Sequence, residues 1–272
     1  MSAPKVSVLV PVYNSAPYLA DTIKAVLEQT FEDFELILLN DVSTDNSEEI
    51  ILSFKDERIR YFKNEQNLGI SPTRNKLLKL ADKNSKYLAI LDNDDICLPD
   101  RFAAQVKFLD EHPEIFMCGT YFELFNSNPN LSWIKSTIIN AGFVWCHPLF
   151  PTLKDALKGN VLMHPTAMIR HEDLVKYGIL YRASYTPAED YDLVRQALFL
   201  NLKLANIPQI LLKYNLHGDN CSLRQKEKMA TADLKIKREI AAFLNIKNFK
   251  LYPRVGVIAE KLRLKYFMKG LR

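Results

Sequence analysis

The sequence predicts an α/β fold built on a mostly parallel sheet with helices on both faces. Two observations carry that expectation. Short apolar runs rich in β-branched residues alternate with helix-period segments through the first 110 or so residues, which is the rhythm of βαβ units with right-handed crossovers. The polar residues of this half also gather just after those runs. Tyr13-Asn14 follows the first, Asn40-Asp41 the second, and Asp92-Asn93-Asp94-Asp95 the fourth. Open α/β sheets bind ligands outside such strand ends.

The elements follow in order. Val6 to Val12 is the first strand. It contains Pro11 and has almost no basic flank, so it does not read as a signal peptide. Residues 16–29 carry Leu19, Ile23, Val26 and Leu27 at helical spacing, with Pro17 suited to a first turn. Phe34 to Leu39 is a second buried strand. Ser43-Thr44-Asp45 leads into a helix with Ile50, Ile51 and Phe54. Arg58 to Phe62 is the third strand, Gly69 to Ala81 a helix, and Tyr87 to Leu91 the fourth strand. Pro99 opens a helix with Phe102, Val106 and Leu109.

Beyond about residue 115 the rhythm changes. Strand-like segments at 115–125, 133–139 and 166–170 mix with short helices and loops such as Asn126-Ser127-Asn128-Pro129-Asn130. Residues 188–200 form a clear helix, with Tyr191, Val194, Leu198 and Phe199 on its apolar side. Strand-like 209–214 follows. Two helices, roughly 223–244 and 254–269, are broken near Pro253.

With 272 residues, 48% hydrophobic and 25% charged, the chain has an ordinary globular balance and ample length for a core. No apolar run approaches a membrane span. Cys97, Cys118, Cys146 and Cys221 show no CxxC or zinc spacing. They read as reduced thiols in a cytosolic protein rather than a disulfide framework. Residues 223–272 hold 14 Lys/Arg against 4 Asp/Glu, whereas 1–222 holds 22 basic and 28 acidic residues. In the tail, Arg254, Lys261, Lys265, Lys269 and Arg272 fall on one helical stripe flanked by Leu262, Leu264, Phe267, Met268 and Leu271, with Ile258 interrupting it. Such a stripe suits peripheral contact with anionic lipid through 245–272, or is simply a solvated helical face. A nucleic-acid partner is not expected.

No GxGxxG follows the first strand and no GxxxxGK[ST] is present, which argues against dinucleotide oxidoreductases and P-loop nucleotidases. Asp92-x-Asp94-Asp95 places three mutually repelling carboxylates at the end of a buried strand. A hard divalent cation gives that arrangement a purpose. The bland reading is a solvated turn with an Asp cap for the helix near Pro99.

Taken together, Val6–Asn14, Asn40–Asp45, Asn67-Leu68-Gly69 with Arg74-Asn75, Leu91–Asp95, Asn160, His164-Pro165-Thr166, Arg170, Glu189–Leu193, Tyr214 and His217 resemble the ordered signature of family 2 glycosyltransferases with the GT-A fold. The resemblance covers roughly residues 4–222. It implies a domain at 1–222, with a donor-nucleotide half at 1–125 and an acceptor half at 126–222, followed by a basic helical extension at 223–272. It also implies that Pro11, Tyr13 and Asp41 line the nucleotide pocket, that Arg74 lies near the base or phosphates, and that Asp92, with Asn93 beside it, meets the ribose. By the same likeness Asp94 and His217 serve a Mn²⁺ or Mg²⁺ ion on the diphosphate. Asp190 becomes the catalytic base, and Glu189 holds the acceptor or the helix start. His164 either contacts the acceptor or closes a turn before Pro165. Trp133, Trp145 and His147 either line an acceptor cleft or pack in the core. The family often has Asp-Asp-Gly-Ser where this chain has Asn40-Asp41-Val42-Ser43, and losing the glycine restricts that loop.

The expected activity is an inverting transfer of a hexose or N-acetylhexosamine from a nucleotide-sugar, UDP by family likeness, to a hydroxyl of a glycan or lipid-linked acceptor in bacterial surface-polysaccharide synthesis. The expected location is cytoplasmic, with the inner membrane face as the site of any peripheral contact. The rival readings are a catalytically weak nucleotide-sugar binding module and a sugar-nucleotide pyrophosphorylase. The latter should carry a glycine-rich loop after the first strand, which is absent here.

Overall fold

The computed structural model describes residues 3–126, 144–217 and 224–246. Strands β1 (Val6–Val12), β2 (Phe34–Asn40), β3 (Ile59–Lys63) and β4 (Tyr87–Ile90) alternate with helices α1 (Ala16–Leu27), α2 (Ser47–Ser53) and α3 (Ile70–Leu80). A two-residue strand, β5 (Ile96–Cys97), then leads to α4 (Arg101–Glu111) and the long β6 (Ile115–Phe125). The second half contains β7 (Val144–Trp145), α5 (Leu153–Ala156), β8 (Met168–Arg170), α6 (His171–Lys176), α7 (Glu189–Phe199), β9 (Lys203–Asn215) and α8 (Lys226–Phe243).

All nine strands join one sheet in the order β3-β2-β1-β4-β8-β6-β9-β5, with β7 on β6. The pairs among β1 to β4 are parallel, as is β6 with β9. β8 runs antiparallel to both β4 and β6, and β5 antiparallel to β9. The mixed part therefore begins where the βαβ rhythm of the sequence fades.

Every residue of β1, β2 and β4 is buried. The alternation of a strand divides their side chains between two cores. Val8, Val10, Leu36, Leu38 and Ala89 face Leu19, Ile23 and Val26 of α1 and Phe102 and Val106 of α4. Leu9, Ile37, Leu39, Leu88 and Ile90 face Leu77 of α3, Leu193 and Val194 of α7, and Ile236 and Ile240 of α8. Thus α8, although it begins the basic extension of the sequence, buries an apolar stripe in the second core. Glu239 anchors it further, pairing with Arg195 at 2.9 Å and accepting from the Tyr185 hydroxyl at 2.9 Å.

Several elements differ from the sequence reading. The strand-like 166–170 is a 3₁₀ turn over His164–Thr166 followed by β8. The strand read at 209–214 begins at Lys203, and its register against β6 shifts around Pro208, which has no N–H to donate to the ladder. The expected strand 133–139, the helix 254–269 and the lipid-facing stripe lie outside the described residues. No helix among those described is long and apolar enough to cross a membrane.

Candidate active site

Parallel pairing of β2, β1 and β4 brings three strand ends to one edge of the sheet. The loops after β1 and β2 are knitted together there. The backbone N–H of Asn14 donates to Ser43 Oγ at 3.0 Å, and that of Thr44 to Asn14 Oδ1 at 2.8 Å. Asp45 accepts from the N–H of Ala16 at 2.9 Å and from Ser47 Oγ at 2.6 Å. Although burial pushes the Asp45 carboxyl up, these hydrogen bonds together hold it below its ordinary value. Pro11 is buried at the end of β1, and the Tyr13 side chain stands 51% exposed at the rim.

Asp41 is buried and organises a third loop. One of its oxygens accepts from Asn64 Nδ2 at 2.7 Å and from the N–H of Leu68 at 2.9 Å, and the other from the N–H of Gly69 at 2.9 Å. Gly69 sits at φ +78°, where a glycine is at ease. Val42 sits at φ +62°. The position is therefore left-handed here, and a β-branched residue is strained in it.

The acidic cluster after β4 divides into three roles. Asp92 accepts from Arg74 at 2.8 Å. Asn93 occupies the turn that follows it. Asp94 lies 2.7 Å from His217 Nε2. Asp95 is fully buried, and its Oδ1 accepts from the N–H of Asn215 at 2.9 Å. Burial first, then Asp94 and Asp92, push the Asp95 carboxyl well above its usual range. By holding the end of β9, Asp95 delivers His217 to Asp94, and the Tyr18 ring of α1 stacks on His217 with ring centroids 4.5 Å apart. A groove of about 500 Å³ opens beside Asp94 between α1, β5 and β9, with Tyr18, Lys24, Phe125 and Lys213 among its walls.

Asp94 and His217 fit a divalent cation by chemistry: a carboxylate oxygen and an imidazole nitrogen, with the remaining positions open to phosphate and water. No group of three metal-ligating side chains occurs among the described residues.

Arg74, expected near the base or phosphates, is engaged by two carboxylates. It lies on α3 with 8% of its surface exposed, one arm on Asp92 and the other on Glu189 Oε1 at 2.6 Å. Both arms are engaged by carboxylates inside the protein. Arg74 also lies over the Tyr181 ring, 5.6 Å from its centroid. Glu189 is buried, and burial holds its carboxyl above the ordinary value although Arg74 pulls the other way. Asp190, one residue on, is only half-buried and accepts from Asn160 Nδ2 at 2.9 Å.

His164 opens the 3₁₀ turn His164–Thr166 before β8, in line with the turn role among its two expected ones. It is 6% exposed and bonded to the Tyr181 hydroxyl at 2.9 Å, a layer beneath Arg74. Burial, with Arg74 and Arg101 nearby, lowers its pKa well below the ordinary value. His147 is also buried, with its ring 6.4 Å from that of Phe122. Trp145 pairs through its backbone with Phe122, while its side chain and Trp133 lie outside the described part. Asp95, Tyr18 and Tyr181 were missed as site residues. Of these, only Asp95 carried a sequence signal, as the last acid of the cluster.

A largely parallel sheet covered on both faces, with an Asp-x-Asp cluster and a histidine at its carboxyl edge, defines the GT-A type of glycosyltransferase. Solved structures agree on the fold. Staphylococcus aureus TarS 1-349, in complex with UDP-GlcNAc, superposes with a TM-score of 0.68 at 19% identity, covering 90% of this chain and 68% of that one. The Pyrobaculum calidifontis mannosyltransferase PcManGT, in complex with GDP-Man and Mn²⁺, gives 0.62 at 16% identity over 97% and 70%. The chain belongs to glycosyl transferase family 2, whose model matches residues 7–178. An uncharacterized glycosyltransferase of Haemophilus influenzae is 32% identical over 251 residues, 90% of this chain and 76% of that protein. The Escherichia coli UDP-Glc:alpha-D-GlcNAc-diphosphoundecaprenol beta-1,3-glucosyltransferase WfgD is 35% identical over 123 residues, 45% of this chain and 47% of that one.

Proposed function

We propose that the protein is an inverting transferase that moves a hexose or N-acetylhexosamine from a UDP-sugar to a hydroxyl of a lipid-linked or growing surface glycan. The observation that carries the reading is the unequal state of two neighbouring carboxylates. Glu189 is buried and ion-paired with Arg74, whereas Asp190 is half-buried and oriented by Asn160. Asp190 is thus the member of the pair able to meet a substrate, across the site from the Asp94–His217 pair.

Pro11, Tyr13 and Asp92 bound the nucleoside, with the exposed Tyr13 ring available to the base and Asp92 to the ribose, while the buried Asp41 holds the loop at Asn64, Leu68 and Gly69. Asp94 and His217 hold Mn²⁺ or Mg²⁺, which when bound supplies Lewis-acid stabilisation of the negative charge on the departing diphosphate. Asp190 takes the proton of the acceptor hydroxyl. The acceptor oxygen forms a bond to the anomeric carbon as the bond to the diphosphate oxygen breaks, and the electron pair leaves with UDP. One displacement from the opposite face inverts the configuration. The UDP-GlcNAc held by TarS and the diphosphoundecaprenol acceptor named for WfgD support the donor and acceptor classes.

The test is a screen of UDP-sugars with Mn²⁺ and a GlcNAc-diphospholipid acceptor, with UDP release and product as readouts. Asp190→Asn is expected to cut transfer by at least about 10²-fold while UDP affinity stays near wild type. Near-normal transfer by that variant returns Asp190 to a helix-start role.

A further inference from the structure

One face of α3 grips the segment that leads into α7. Ser71, Arg74 and Asn75 lie on that face at the i, i+3, i+4 spacing. The Ser71 hydroxyl bonds the Thr186 hydroxyl at 2.6 Å. Asn75 clamps the backbone of Tyr181, its Nδ2 donating to the carbonyl at 2.7 Å and its Oδ1 accepting from the N–H at 2.9 Å. Between them Arg74 reaches Glu189 with one arm and Asp92 with the other. One planar guanidinium thus spans the end of β4, on the donor side, and the first residue of α7, next to Asp190.

We propose that Arg74 and Glu189 are a positioning pair that sets Asp190 at its working distance from the donor site, and that Glu189 touches no substrate. This rests on the reading of Asp190 as the base. A rigid fork transmits position in a way that a lysine on a flexible stem does not. The pair is also poorly optimised for stability alone. Arg74 Nε and Glu189 Oε2 are both buried without a hydrogen-bond partner among the described residues, and such groups destabilise a fold. A buried ion pair is itself weak evidence of a stabilising role. An arrangement retained at that cost fits a geometric task.

The deciding variant is Glu189→Gln, which keeps shape and removes charge. The assay uses the donor–acceptor pair with the highest wild-type rate in the screen above, alongside calorimetry with UDP and Mn²⁺ and a thermal midpoint. The expected result is a kcat loss of about 10²-fold, the scale of a displacement of about 1 Å, with UDP affinity and midpoint near wild type. Arg74→Lys should lose a similar factor, and the double variant no more than the worse single one. If Glu189→Gln turns over within about 3-fold of wild type while Asp190→Asn is inactive, the positioning role fails and the base reading survives. If Asp190→Asn itself transfers normally, the base reading fails and takes this proposal with it. A midpoint and UDP affinity that fall together with kcat make the pair a fold element and overturn the proposal. Should Glu189→Gln not fold, Ser71→Ala removes one hydroxyl from the same grip. It should lower kcat by about 3- to 10-fold at constant UDP affinity, and an unchanged kcat overturns the proposal.

Discussion

The edge proposed to bind the donor (the donor edge) and the half proposed to bind the acceptor (the acceptor half) build their parts of the site in different ways. At the donor edge, chemistry follows each parallel strand directly: Tyr13 and Asn14 after β1, Asp41 after β2, Asp92 to Asp95 after β4. In the acceptor half, chemistry is assembled by long-range pairs. Arg74 meets Glu189 across 115 residues of chain, Asn215 meets Asp95 across 120, and His217 meets Asp94 across 123. A parallel sheet lines up strand ends by its hydrogen-bond ladder alone. A mixed sheet needs side chains to hold its ends in place, so damage there should spread from fold to chemistry.

The largest expected effect tests the donor edge. Asp94→Ala should abolish transfer and Mn²⁺-dependent UDP binding with little change in thermal midpoint, because Asp94 makes its described bond only to His217. Full wild-type activity in excess EDTA contradicts the metal role.

Next comes the seam between the halves. Asp95→Ala leaves the buried N–H of Asn215 without its acceptor, so the variant should lose about 1–3 kcal/mol by urea titration. It should also bind Mn²⁺ more weakly, because His217 loses its anchor. A variant that is destabilised yet binds Mn²⁺ normally breaks the link drawn here between β9 and the metal pair.

The donor edge carries one strained position whose relief should be measurable. Val42→Gly at φ +62° should stabilise the protein, the left-handed penalty of about 1–2 kcal/mol being offset in part by glycine's greater unfolded-state entropy. No gain in denaturation midpoint means that the loop pays nothing for its valine.

The smallest effect concerns pH. His164 is kept neutral in the fold by burial and by Arg74 and Arg101, while an unfolded histidine titrates near pH 6.5. Between that value and the lower folded one the unfolded state binds more protons, so stability falls as pH drops below about 6.5. His164→Gln should flatten the thermal midpoint between about pH 6.5 and 5. An unchanged slope assigns the acid sensitivity to other groups.

Much of the donor edge was legible in the sequence. β1, β2 and β4 announce themselves because burial on both faces demands continuous apolar runs, and the acids after them stand out against that background. The valine in place of glycine at position 42 was legible in the sequence, and the structure places it at φ +62°. The burial of Arg74 and His164 was not legible, because a charged or polar residue in a linear pattern gives no sign of being buried. Only a partner from a distant element makes such burial tolerable, and spacing along the chain does not reveal it.

The sequence by itself determined the alternation of strands and helices, the sheet edge where polar residues gather, the acidic cluster and the family. Those properties depend on short-range periodicity and on residue types that follow one another in the chain. Tertiary structure alone decided which of two adjacent carboxylates is spent on an arginine and which is half-buried and bonded to Asn160. It also decided that α8 belongs to the core, and that Asp95 carries β9, and with it His217, to Asp94. Each of those outcomes turns on burial and on a partner more than 30 residues away or on a neighbouring helix, and the free energy of a buried polar group is set by what surrounds it in space.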